Sequence, residues 1–318
     1  MSETNAIRAT SVPELLALIP GLLGFQPQES LVCVLVCGGR VAVTARAGLP
    51  EAMLPGGLKT ILDRLWGRFP DALGCFIVYR RSGVEANTLL RSCAQLRGTA
   101  FAFGCHVAGE VWTTPEGRSG IVPEPPPAAA IAGHVGSRDE LAARLEPDPP
   151  LAGRDALLDE QTAVLERLPP AARQARLEAI LGLPTPTRGE HILAGLLVQE
   201  AAARGAAVTA LTRRNAEAMA DFWIAAARKL PGRLRPQALG LAALASWACG
   251  DGALQAVCLE RARLDLGLSD EAFTAACLRR DEAVPALLRV NCLLNLQVVP
   301  PTAWDAVRAE LLADEAAA

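Results

Sequence analysis

Five prolines, Pro115, Pro123, Pro125, Pro126 and Pro127, constrain this chain more than any other feature. Each fixes its own φ and removes a backbone donor, so regular structure is not expected through residues 114–127, and Glu116-Gly117-Arg118-Ser119-Gly120 within them reads as a loop. The apolar residues follow different periods on the two sides. Ahead of the break, short β-rich runs alternate with helical spacing; beyond Pro150 every pattern is helical. The expectation is an α/β domain over 1–122, built as a mixed sheet with covering helices. A proline-rich linker with a short helix follows over 123–150, then an all-α domain over 151–318.

The first half turns on LIPGLLGFQPQESLV, residues 18–32. Ser11-Val12-Pro13-Glu14 has the form of a capping box, and Pro20-Gly21 is expected to stop the helix it opens. Gly24, Phe25 and Pro27 make a corner that feeds the apolar run from Ser30 to Val36. Gly38-Gly39 between that run and Val41–Ala45 signals an antiparallel hairpin, with Arg46 and Gly48-Leu49-Pro50 ending its second strand. One helix is expected over residues 51–69, a strand over 72–79, a second helix over 84–97 capped by Gly98, and a strand over 99–107 whose hairpin partner is Glu110–Thr113.

Ser137-Arg138-Asp139-Glu140 offers another capping box. Helices are then expected over 152–167, 171–181, 189–204, 214–230, 236–249, 253–266, 270–279, 282–296 and 302–313, with proline or glycine at most junctions. The stretch ALGLAALASWAC is apolar almost all round, which places it at the centre of a bundle. Ala243, Gly250-Asp251 and Ala262 give residues 236–266 a tetratricopeptide-like helix pair, although Gln255 and Gly267 depart from that pattern.

With 51% apolar and 20% charged residues, the chain has the composition of a folded protein. No apolar run is long enough for a membrane span and MSETNAIRAT has no signal-peptide core, so a cytosolic protein is expected. A net charge of −3 gives no whole-chain signature for nucleic acid. Lys59 and Lys229 are the only lysines, a bias that points to a GC-rich coding genome.

Nine cysteines occur without a C-x-x-C, and His106 alone stands beside one, so no metal site is expected and the thiols read as small buried hydrophobes. No nucleotide-binding glycine loop, serine elbow or metal-binding helix motif is present, and no cofactor is assigned. His106, His134 and His191 fall in three different elements. No catalytic residue is named. Phe25, Ser30, Arg46 and Trp112 are the candidate binding residues: an arginine able to clamp an anion, a serine at the mouth of the first strand, and two aromatics able to pack on a ligand.

The quoted residues also carry a resemblance. Pro20-Gly21-Leu22-Leu23-Gly24-Phe25-Gln26-Pro27 with Ser30-Leu31-Val32, Gly39-Arg40, Thr44-Ala45-Arg46, Leu49-Pro50, residues 112–117, Ser137-Arg138 and Gly250-Asp251-Gly252-Ala253 with Glu260-Arg261-Ala262 make the chain similar to the bacterial domain-of-unknown-function family 4192, found mainly in actinobacteria. The resemblance implies no known activity. Members commonly have an aspartate where this chain has Gly48, and many carry cysteines around the loop that here reads Trp112-Thr113-Thr114-Pro115, so no metal or acid role is carried over to those positions. The leading expectation is a non-catalytic protein- or ligand-binding or scaffolding protein, with a protein partner engaged through the helical domain. The alternative is an enzyme with a pocket between the Phe25 corner, Arg46 and the Trp112 loop.

Overall fold

The computed structural model describes residues 9, 11–80, 82–124, 137–149, 154–297, 299 and 301–317. The chain divides into two compact units, Met1–Glu140 and Leu141–Ala318. His134 and the prolines at 125–127 lie outside the described residues.

In the first unit, α1 (Val12–Leu23) opens on Ser11, whose hydroxyl accepts from the Glu14 amide at 3.4 Å. Pro20 does not stop this helix, contrary to the sequence expectation: it lies inside α1, which runs on to Leu23 and ends where Gly24 turns left-handed at φ 78°. Burial of Ile19, Leu23 and Phe25 across this stretch offsets the hydrogen bond that the proline removes. The expected hairpin forms between β1 (Ser30–Cys37) and β2 (Arg40–Gly48), with Gly38 and Gly39 both at positive φ and a bulge after Leu35.

The single helix expected over 51–69 is two, α2 (Leu49–Met53) and α3 (Gly57–Arg68), because Pro55-Gly56 interrupts the period and Gly56 sits at φ 77°. Then come β3 (Leu73–Tyr79), α4 (Gly83–Arg97), β4 (Phe101–Ala108), β5 (Val111–Thr113) and β6 (Ser119–Ile121). Residues 119–121 were expected to be loop; they form a short edge strand whose ladder on β5 needs only a few backbone pairs. The sheet order is β2-β1-β3-β4-β5-β6, with β3 and β4 parallel across α4 and every other pair antiparallel.

One sheet face carries Gly74, Phe76 and Gly104, and α3 and α4 cover it. Trp66 stacks on Phe76 at 5.9 Å, and Phe76 on Phe101 at 5.3 Å. A side chain at 74 would stand 2.6 Å from Trp66, so glycine is what lets the indole reach the sheet. Arg97 lies 4.8 Å over the same indole and bonds Asp63 at 2.7 Å, tying α4 to α3.

The second unit is helical. After α5 (Arg138–Ala143) come α6 (Arg154–Arg167), α7 (Pro170–Leu181), α8 (Arg188–Leu197), α9 (Ala201–Ala210), α10 (Ala216–Lys229), α11 (Arg235–Cys249), α12 (Gly252–Asp265), α13 (Asp270–Leu278), α14 (Ala286–Leu296) and α15 (Trp304–Ala317). The helix expected over 189–204 is broken between α8 and α9, which are bent by 117°. Side chains meet the carbonyls freed there, Gln199 bonding Gly195 and Arg204 bonding Val198 and Gln199. As expected, α11 is the buried centre: every residue from Ala238 to Ala248 is buried, and it packs against α10, α12 and α14. Gly250 at φ 91° ends it, and Asp251 caps α12 through the Leu254 amide at 2.8 Å.

Candidate functional site

The register of the sheet builds one row across all six strands: Gly48, Ser30, Tyr79, Val107, Trp112 and Gly120, each directly opposite the next. Directly opposed residues share a face, so this row lies on the side away from α3 and α4. Val32 and Arg46 follow one pair along, then Val34 and Thr44. The row also marks the carboxyl ends of the parallel strands β3 and β4, the end at which α/β sheets present ligand sites.

Ser30 decides the chemistry. It is 0% exposed, and its hydroxyl has no hydrogen-bond partner. Opposite it, the Tyr79 phenol is pushed above its ordinary range by burial and by the neighbouring Cys105. Glu29, just before Ser30, holds a left-handed φ of 39°, rare for a residue with a side chain, while its carbonyl accepts the Leu49 amide at 3.0 Å. The Glu29 carboxylate meets Arg80 at 3.7 Å, and Arg80 also pairs with Glu85 in the first turn of α4.

His106 faces the other side of the sheet and holds the Arg80 carbonyl through Nε2 at 2.6 Å. A carbonyl only accepts, so Nε2 carries a proton, and Nδ1 lies beside Gly83 at the start of α4. His191 likewise donates from Nδ1 to the Thr187 carbonyl at 2.9 Å, and its pKa is lowered chiefly by burial.

The four candidate binding residues are placed unequally. Ser30 and Arg46 sit on adjacent strands as diagonal neighbours on one face. Arg46 donates to the Gln28 carbonyl at 3.5 Å, so it braces the segment that leads into Ser30. Trp112 shares the row but lies three strands from Ser30, roughly 14 Å at ordinary strand spacing. Its ring packs over Gly120 and edge-on to Phe103 at 6.4 Å. Phe25 is buried ahead of β1. The structure therefore joins Ser30 with Arg46 and leaves Trp112 apart. Tyr79 and Arg80 are not foreseen from sequence, because only the pairing of β1 with β3 puts them beside Ser30, and a Gly-Gly hairpin signal says nothing of that pairing; Glu29 adjoins Ser30 in sequence, but its left-handed φ and its ion pair with Arg80 arise only in the fold.

The buried thiols Cys33, Cys93, Cys105, Cys258 and Cys277 are held in their protonated form. Burial pushes Cys93 and Cys105 up to about 12 and raises Cys33 and Cys258 as well, while Cys277 is raised by its hydrogen bond with Cys292 and by burial. Among the described residues, no group of three or more His, Cys, Asp or Glu side chains is arranged to hold a metal ion. No single helix among them is long and apolar enough to cross a membrane.

Residues 13–265 match the family described as Domain of unknown function (DUF4192). The chain belongs to that family. The match spans the whole described sheet and continues to the end of α12. No curated protein and no solved structure matches the chain.

Proposed function

We propose that this DUF4192 chain is a non-catalytic binding protein, whose α/β unit takes a small polar ligand at the Ser30–Tyr79 end of the sheet and whose helical unit is a rigid platform for a protein partner. The observation that carries the reading is Ser30: a fully buried hydroxyl without a partner, next to a strained Glu29 and a buried Tyr79. A buried hydroxyl left unpaired costs about 1–3 kcal/mol, a cost that a ligand acceptor removes. Binding in place of catalysis is supported by what the candidate reactive groups already do. Both described histidines spend a ring nitrogen on a main-chain carbonyl, and burial holds Cys33, Cys93, Cys105 and Cys258 as neutral thiols.

The proposal includes a cytosolic setting, supported by nine cysteines that all stand as free thiols, the condition of a reducing compartment. An actinobacterial source is part of it, in keeping with an arginine-rich, lysine-poor composition. Native mass spectrometry of protein purified without denaturation tests the ligand. A small-molecule adduct on the wild type that is lost from Ser30→Ala supports the reading, and an adduct that persists in Ser30→Ala overturns the placement. For the partner, substitutions across the exposed faces of the helical unit that leave every co-purifying protein in place count against the platform.

A further inference from the structure

One arginine of the helical unit carries a charge that the fold leaves unanswered. Among the described residues, Arg188 at the start of α8 finds neither a hydrogen-bond acceptor nor a carboxylate, and its Nε and Nη2 are both buried. The other described arginines with a buried, unbonded nitrogen each reach an acceptor through a further nitrogen, as Arg228 does with Asp148 and Arg261 with Glu146. A guanidinium edge withdrawn from water without an acceptor is costly, and an anion seated on it removes that cost.

The neighbours of Arg188 are cationic as well. His191 lies three residues on along α8, the spacing that puts both on one face, and its ring packs on Phe222 of α10 at 5.0 Å. Lys229 closes α10 and bonds the Ala225 carbonyl at 2.8 Å, which leaves two of its three ammonium donors. Burial lowers the Lys229 pKa, and the Arg228 and Arg188 charges lower it further against the pull of Asp148. Burial also lowers that of His191, with Lys229 adding to the effect against the Thr187 bond and Glu190. The two carboxylates felt by these groups are already engaged: Arg228 holds Asp148 at 2.9 Å, and Glu190 closes the capping box on Thr187 at 2.7 and 2.8 Å. Arg188, His191 and Lys229 are all half-buried, so the cluster is open to a solute.

We propose that Arg188 and Lys229, beside His191, bind the phosphoryl group of a small phosphate monoester. The site belongs to the helical unit alone and does not depend on the ligand at Ser30. The Nε–Nη2 edge of a guanidinium is a fork of two parallel donors that matches two oxygens of an oxyanion. A carboxylate is used up by that fork, whereas a phosphoryl group keeps a third oxygen for Lys229. Its charge of about −1.5 to −2 at neutral pH also suits two permanent cations. Arg188 further begins a ten-residue helix, whose N-terminal partial charge favours an anion.

Thermal unfolding of the full chain with phenyl phosphate, inorganic phosphate or benzoate, at ionic strength held constant with chloride, tests the site. Both phosphates should raise the wild-type melting temperature and benzoate should not; an equal response to benzoate overturns the phosphoryl assignment. By calorimetry, Arg188→Gln and Lys229→Gln should each weaken phenyl phosphate binding at least about tenfold, and Arg188→Lys, which keeps the charge without the fork, should not restore it. Because Arg188 has no partner to lose, Arg188→Gln should melt no lower than wild type in phosphate-free buffer, which separates lost binding from lost folding. A lower melt would show that Arg188 is bonded within the fold, and an unchanged phosphate response in that variant would likewise sink the proposal. The His191 pKa, followed by proton NMR and assigned with His191→Gln, should rise when phosphate binds; a pKa that stays put would remove the anion from this place. Ser30→Ala should respond to phosphate as the wild type does, and a response lost there would move the site out of the helical unit.

Discussion

Ser30 presents a hydroxyl to a face where its strand neighbours Val32 and Val34 present only methyl groups. Because that hydroxyl is buried without a partner, Ser30→Ala should raise the unfolding free energy of ligand-free protein by about 1 kcal/mol while weakening any ligand held there. Urea unfolding of protein refolded free of small molecules reads the first effect; a variant less stable than wild type would mean that Ser30 is bonded within the fold. Asp251 poses the opposite case, a carboxylate whose job is satisfied but whose charge is misplaced. It caps α12, yet burial raises its pKa above the ordinary carboxylate value. A folded pKa above the unfolded one contributes stability that is full below the unfolded value and is lost as pH rises through the folded one. At neutral pH the charged form is therefore a cost. Asp251→Asn keeps the cap and removes the charge, so it should be more stable than wild type at pH 7, with the gap closing below about pH 4 in pH-dependent thermal unfolding.

Elements show which parts of the fold the sequence discloses and which it does not. The β1–β2 hairpin was legible because Gly38-Gly39 permits a turn that other residues resist, and α11 because its apolar residues circle the helix. The run through Pro20 departs from the sequence expectation because the burial of Ile19 and Leu23 overrides a local breaker. Half of the candidate site was legible for the same reason as the hairpin: Ser30 and Arg46 are diagonal neighbours on the two strands of one local hairpin, whereas Tyr79 reaches Ser30 through a pairing about fifty residues distant in sequence that no local pattern encodes. Arg235 was equally hidden, since a lone arginine at a helix start reads as solvated. In the fold it is 1% exposed, bonding the Ala227 carbonyl at 3.2 Å, the Leu145 carbonyl and Asp265 at 3.2 Å, and so it fastens the starts and ends of four segments at one point. Arg235→Met should cost about 3–5 kcal/mol, because it leaves the Leu145 carbonyl without its donor, the Ala227 carbonyl with only the Leu230 amide, and the Asp265 carboxylate with only Arg261 at 3.7 Å. Adding Asp265→Asn should recover part of that loss, and denaturant unfolding of the double variant checks it; equal stability of single and double variants would show that the ion pair is not the source of the cost.

At the scale of the molecule, the family match and the folded unit end in different places. The match stops at residue 265, the last residue of α12, but the bundle centred on α11 does not. Leu287 and Leu288 of α14 are fully buried, and a side chain added at Gly240 of α11 would meet Leu287 at 3.0 Å, so the two helices touch closely there. Asn291 of α14 donates to the Gly240 carbonyl at 3.1 Å and receives Gln255 of α12 in a network closed from solvent. Further along, α15 packs against α9 and α14. A chain cut after Asp265 would expose the partners of Leu287 and Leu288 and strand Gln255 inside an apolar core. Losing each buried leucine alone costs about 2–5 kcal/mol, against a usual total stability of about 5–15 kcal/mol, so two leucines, the asparagine network and all of α15 together exceed what the unit can spare. The truncated chain is therefore expected to lose its cooperative transition in the helical unit, read as a broad thermal melt by far-ultraviolet circular dichroism and as rapid proteolysis beyond residue 154. A sharp melt at the wild-type temperature would instead make residues 266–317 an appendage to a core that is complete without them.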